Sequence, residues 1–179
     1  MAAFGITLRP PSVGTGLIFS TDNSVASVLG PGVCCGMTSN WIATCKKLGR
    51  PVKTSGELSD PASFAISQSG GEKGLDRGDA GIMRAAGLTP PTPTETRPVD
   101  FNAVATGLAA MVGYTFLTIH SDSAGHAMGS YVTATQWDFF DPNVGLYRFN
   151  SSAGFVTHVQ TNLTAMYPTL ISYWRTYRY

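Results

Sequence analysis

Two adjacent cysteines, Cys34 and Cys35, stand between glycines in GPGVCCGMTSNWIATCKKLG, residues 30–49. The apolar spacing that follows predicts a helix over 34–48, which puts Cys34 in its first turn. Unsatisfied backbone N–H groups and the positive end of the helix dipole lower a thiol's pKa there. Thiolate is the reactive form, so a helix start of this kind suits a nucleophile. Gly32 and Gly36 would leave room for a substrate carbonyl near the backbone. Cys34 shares the face of Met37, Trp41, Cys45 and Leu48, the side expected to meet the rest of the fold. Cys35 lies about 100° round the helix and is the competing thiol. The bland reading is that two small side chains simply pack a tight helix start.

A thiolate nucleophile works with an imidazole. Of the three histidines, His120 ends an expected strand and His158 sits among polar neighbours on an expected helix. His126, in SAGHAMGSYV, opens a strand after a Ser-Ala-Gly entry, with small Ala127 and Gly129 leaving room beside its ring. A third group must orient the imidazole, and WDFFDPNVG offers Asp138, Asp141 and Asn143. Strand alternation puts Trp137, Phe139 and Asp141 on one face and Asp138 on the other. Asp141 stands at the strand's end before Pro142. Asp-Pro-Asn-x-Gly is equally an ordinary turn signature, with Asp and Pro in its first two places.

Other chemistry of the cysteines is disfavoured by spacing. Three cysteines are an odd number, and along one helix Cys34 and Cys45 lie about 16 Å apart, whereas a disulfide needs Cα atoms within about 7 Å. A vicinal Cys34–Cys35 bridge would be strained. Adjacent cysteines also lack the usual separation of zinc ligands, so the thiols are expected to be free, as in a reducing compartment. The sequence contains no P-loop, Rossmann glycine fingerprint, G-x-S-x-G elbow or H-E-x-x-H pair.

These residues need elements to hold them. LIFS (17–20) reads as a short strand in an otherwise loopy start, and Gly49 and Pro51 end the nucleophile helix. Ser59 and Pro61 start a short helix, and GDAGIMRAAG makes another, closed by Gly87. The proline-rich segment 88–99 reads as an exposed loop, after which Asp100 caps an apolar helix over 101–112. From 114 the period becomes extended: YTFLTIH, HAMGSYVTA, QWDFF and LYRF are four strands. Ser151 or Ser152 caps a further helix with Phe155, Val159, Leu163 and Met166 inward, and YPTLISYWRTYRY supplies a final strand. The expected class is α+β, with helices mainly in the first half and an antiparallel sheet in the second.

At 179 residues, 43% hydrophobic and 13% charged, the chain suits one globular domain with a real core. A net charge of +1 without basic runs argues against nucleic acid or an acidic membrane as partner. The longest apolar stretch, FNAVATGLAAMVGYTFLTIH, is divided by Gly113 and suits a helix and a strand better than a membrane span. The first thirty residues lack the pattern of a cleavable signal peptide, so export would need another route.

Three blocks, GVCCGMTSNWI, GHAMGSYV and WDFFDPNVGLYRF, taken in that order, resemble the YopT-type cysteine peptidases, bacterial effectors of the papain-like clan. The resemblance covers roughly residues 30–150. It implies a papain-like fold, with the nucleophile helix of an N-terminal helical half packed on the C-terminal antiparallel sheet. It makes Cys34 the nucleophile, in preference to Cys35, with His126 as general base and later acid and Asp141 as the orienting acid. Papain-like enzymes commonly place a glutamine before the cysteine as oxyanion donor, and here no glutamine precedes Gln68. Asn23 could substitute, beside the Cys34 backbone N–H, and Cys35 is a second candidate for the oxyanion or substrate side.

The implied activity is an endopeptidase acting on a protein in a target cell, with no metal or organic cofactor. Such an effector or toxin would be secreted without a signal peptide and translocated to a reducing cytosol. A cognate inhibitor protein is a possible partner, and a monomer is the default. A deamidase or transglutaminase would use the same triad on a side-chain amide, and an inactive protease-like binding module would keep only the fold.

Overall fold

Helix α1, Cys34–Leu48, forms over the residues its spacing predicts. The structure, a computed structural model, describes residues 16–23, 33–58, 61–73 and 78–179. Gly49 ends α1 in the left-handed conformation, φ 66°, donating its N–H to the Cys45 and Lys46 carbonyls. Met37, Trp41, Ile42 and Cys45 are buried. The inner stripe stops there: Leu48, expected to continue it, is 43% exposed, on a last turn it shares with exposed Lys46 and Lys47. Basic side chains at that end suit the negative pole of the dipole.

Seven strands form one sheet: β1 (Leu17–Ser20), β2 (Thr94–Thr96), β3 (Gly113–His120), β4 (Gly125–Val132), β5 (Trp137–Asp141), β6 (Gly145–Phe149) and β7 (Tyr173–Arg178). Their order is β1-β6-β5-β4-β3-β7-β2, and every paired neighbour is antiparallel. The strands β3 and β4 pair along their full length, from Gly113 with Val132 to His120 with Gly125. The segment 88–99, expected to be only a loop, contributes β2, an exposed edge strand paired to β7. Exposure on that side was expected; pairing was not, because three residues of Thr-Glu-Thr carry no strand signal of their own.

Helices cover both faces of the sheet. On one face α1, with α2 (Pro61–Lys73) and α3 (Asp79–Ala85), encloses Met37, Trp41, Phe64, Met83, Phe116, Phe140 and Leu146. On the other, α4 (Phe101–Ala110) and α5 (Ser152–Met166) bring Leu108, Phe155, Val159 and Leu163 against Leu117, Met128 and Phe139. The two later helices, α4 and α5, form a layer of their own behind the sheet. The α+β class with an antiparallel sheet is as expected. Asp100 caps α4, its Oδ1 accepting the N–H groups of Asn102 at 2.8 Å and Ala103 at 3.1 Å. Ser151 caps α5 through the Gly154 N–H at 3.2 Å. The expected cap of α2, Ser59, and Gly32 before α1 lie outside the described residues.

Two glycines set how closely α1 approaches its neighbours. A Cβ on Gly129 of β4 would lie 2.5 Å from Cζ3 of Trp41, so the indole rests on bare backbone. It also stacks on Phe140, with centroids 5.3 Å apart. A Cβ on Gly36 would collide with the Phe64 carbonyl oxygen of α2. Gly36 is therefore spent on helix packing and not on open space for a substrate, and the room left at Gly129 is filled by Trp41. Gly129→Ala should destabilise the protein by about 1–3 kcal/mol through overpacking, which denaturant unfolding would measure.

Candidate active site

The first turn of α1, the start of β4 and the end of β5 bring Cys34, His126 and Asp141 together. His126 Nε2 donates to Asp141 Oδ1 at 2.9 Å, with His126 only 6% exposed and Asp141 fully buried. On its other side the imidazole lies close enough to Cys34 for each group to shift the titration of the other. With Nε2 committed to Asp141, the nitrogen left for Cys34 is Nδ1. The ladder explains the placement: β4 and β5 are hydrogen-bonded neighbours, and Asp141 pairs with Gly145 where β5 turns into β6.

The thiol of Cys34 is pulled well below its ordinary value. The Cys35 thiol, hydrogen-bonded to it, is the leading cause; burial opposes, and the hydrogen bond and charge of His126 and the Ala127 N–H add to the lowering. Burial disfavours protonation of His126, but the charge and hydrogen bond of Asp141, then those of Cys34, push it up to about 10. Burial likewise works against ionisation of Asp141, yet His126, Asn162 and the Asn143 N–H hold its carboxyl below the usual range. All three shifts run toward the charged forms, thiolate, imidazolium and carboxylate. Cys45 is the internal contrast, a buried thiol pushed up to about 11.

Cys35 thus does more than pack, since it acts directly on the Cys34 sulfur. Asn23 is buried, and its Oδ1 accepts the Val33 N–H at 2.7 Å, one residue before Cys34. Gln68, reached from α2, accepts the Gly36 N–H at 3.0 Å and so caps a helix whose N-cap residue, Val33, has no capping side chain. His120 stacks on Tyr173 at 4.3 Å. His158, expected among polar neighbours, is buried against Tyr147 and Phe149 and is pushed down to about 4 by that burial. It is a neutral core histidine. Asp138 pairs with Arg148 at 2.8 Å, away from the imidazole, as strand alternation required.

Sequence reasoning missed two side chains of the site. Asn162 of α5 donates Nδ2 to Asp141 Oδ2 at 2.9 Å. Tyr167, just past α5, stacks on His126 with centroids 4.4 Å apart, and its hydroxyl lies 2.9–3.0 Å from both Asp141 oxygens. Neither belongs to a local motif; the only available cue was that α5 must lie somewhere against the sheet. Among the described residues no group of three or more histidine, cysteine or acidic side chains could hold a metal ion. No helix among them is long and apolar enough to cross a membrane.

No protein-family model and no curated protein sequence matches the chain. The fold is similar to the crystal structure of the Pseudomonas avirulence protein AvrPphB, with a TM-score of 0.64 at 14% identity, over 89% of this chain and 94% of that one. The likeness is one of fold, and it agrees with the papain-like fold that the three sequence blocks imply. A further likeness is to PatoxP, a cysteine protease-like domain of the Photorhabdus asymbiotica toxin PaTox, with TM-score 0.49 and 12% identity, covering 89% of this chain and 53% of that one.

Alkylation by iodoacetamide, followed by mass spectrometry of the cysteine peptides, should modify Cys34 at pH 7 much faster than Cys45. Both limits of the pH profile follow from the pair. The thiolate forms as pH rises through the lowered Cys34 value, and the rate changes again only when His126 loses its proton near pH 10. His126→Ala should return the profile toward that of an ordinary thiol, near pH 8.5.

Proposed function

We propose that the protein is a papain-like thiol hydrolase, an endopeptidase that cleaves a protein of a target cell through Cys34, His126 and Asp141. The observation that carries this reading is the buried His126–Asp141 hydrogen bond beside the Cys34 thiol, which stands in the first turn of α1 and is shifted by that imidazole. The similar fold of an avirulence protein agrees with it, as does the order of the three sequence blocks.

In this mechanism the Cys34 thiolate attacks the scissile carbonyl carbon, and the carbonyl π pair moves to oxygen. The oxyanion is met by the Cys34 backbone N–H and by the Asn23 carboxamide, whose Oδ1 is tied to Val33 so that Nδ2 is the end left to donate. As the tetrahedral intermediate collapses, the C–N bond breaks and the imidazolium Nδ1–H protonates the leaving amine. The neutral imidazole then takes a proton from water, whose oxygen attacks the thioester. Collapse of that second intermediate breaks the C–S bond, releasing the acid and restoring thiolate and imidazolium. Asp141 keeps Nε2 occupied throughout, so Nδ1 stays on the side of the sulfur.

The same thioester chemistry on a glutamine or asparagine side chain would make the protein a deamidase. Delivery into the target cell, action in its reducing cytosol, and restraint by a cognate inhibitor protein belong to the same proposal. Incubation of target-cell extract with the wild type should produce new protein termini that are absent with Cys34→Ala or His126→Ala. Asp141→Asn should lower the rate by about a hundredfold or more, by analogy with loss of the orienting acid in serine hydrolases. A gain of about one dalton without chain cleavage would identify a deamidase. Equal labelling of Cys34, Cys35 and Cys45 by a thiol-directed electrophile, with no protein altered, would sink the enzymatic reading in favour of a binding module.

A further inference from the structure

Tyr167 touches both partners of the imidazole–carboxylate pair at once. Its ring stacks on His126, with centroids 4.4 Å apart and planes 20° from parallel. Its hydroxyl lies 2.8 Å from His126 Nε2, 3.0 Å from Asp141 Oδ1 and 2.9 Å from Asp141 Oδ2. A phenol has a single proton, and the carboxylate is the acceptor available to it. The oxygen that remains accepts from Asn143 Nδ2 at 3.0 Å and shares the Nε2–H with Asp141. Burial and the charge of Asp141 raise the phenol far above its ordinary value, so it stays a donor at any working pH.

The stack also limits motion. A flip of the ring would exchange Nε2 for a carbon and take its N–H away from the two buried acceptors that share it, the Asp141 carboxylate and the Tyr167 oxygen. We propose that Tyr167 is a positioning residue of the site: stacked on His126 and hydrogen-bonded to Asp141, it holds the imidazole in the orientation that keeps Nδ1 toward Cys34, and Asn143 in turn holds Tyr167. The consequence for catalysis rests on the thiol hydrolase reading, whereas the restraint on the imidazole stands without it.

The two parts separate by experiment. In protein labelled with 15N-histidine, the His126 Nε2–H resonance is assigned by its loss in His126→Gln. In Tyr167→Phe, which keeps the ring and removes the hydroxyl, that resonance should shift and exchange with solvent about tenfold faster, while the signals of His120 and His158 stay in place. Asn143→Ala, which leaves the backbone N–H to Asp141 and the Tyr167 phenol intact, should give a smaller change in the same direction. It also decides the matter if Tyr167→Phe does not fold. Alkylation of Cys34 at pH 7 should slow by roughly tenfold in Tyr167→Phe, as misplacement of a reacting group costs rate steeply. An unchanged Nε2–H shift and exchange rate in a folded Tyr167→Phe, or in Asn143→Ala where that variant must decide, would overturn the proposal. A chain that cuts no protein yet shows the NMR changes would overturn only the hydrolase reading.

Discussion

A carboxylate with no exposed surface is the constraint around which this site is built. Asp141 is fully buried, and an ionised carboxylate taken out of water costs several kcal/mol unless its lone pairs are met. Four donors meet them: His126 Nε2, the Asn143 backbone N–H, Asn162 Nδ2 and the Tyr167 hydroxyl. They come from β4, from the turn after β5, from α5 and from the residue that follows α5. One side chain thereby fixes the relation of the sheet to the layer of helices behind it. The same saturation keeps Asp141 ionised, and an ionised Asp141 is what raises His126.

On the opposite side Cys34 is placed by contact of backbones. Trp41 rests on Gly129 of β4, and Gly36 meets the carbonyl of Phe64 in α2. The Thr38 hydroxyl donates to the Ala127 carbonyl at 3.3 Å, beside His126. These contacts seat the first turn of α1 over the start of β4, where the Ala127 N–H and the imidazole both reach the Cys34 sulfur. The thiol's lowered pKa is therefore a property of the packed interface as much as of the helix start. Cys45, on the same helix face but three turns on and sealed in the core, goes the other way.

Much of this was legible in the amino-acid sequence. The bounds of α1 followed from apolar spacing and the glycine after it, the cap of α4 from Asp100, that of α5 from one of two serines, Ser151 or Ser152, and the strands from 114 onward from the change of period. Local pattern made Cys34, His126 and Asp141 candidates, at a helix start, a strand start and a strand end before proline, and the family resemblance of the three blocks singled them out. Where local pattern was silent, the reading failed. The strand β2 exists only because β7 pairs with it. Leu48 matched the stripe but lies beyond the reach of the layer below it, and His158 sits in a polar stretch yet turns toward Tyr147 and Phe149.

The sequence by itself determined which elements form and which side chains stand at their ends, because hydrogen-bonded periodicity, caps and turns are settled over a few neighbouring residues. Only the tertiary structure decided which of those ends meet. Asn162 and Tyr167 join the site through contacts spanning 21 and 26 residues to Asp141, and Cys35 through the sulfur beside it. The cost of burying a charge is met by whichever donors the packed layers bring within 3 Å, and no local pattern in the chain announces them.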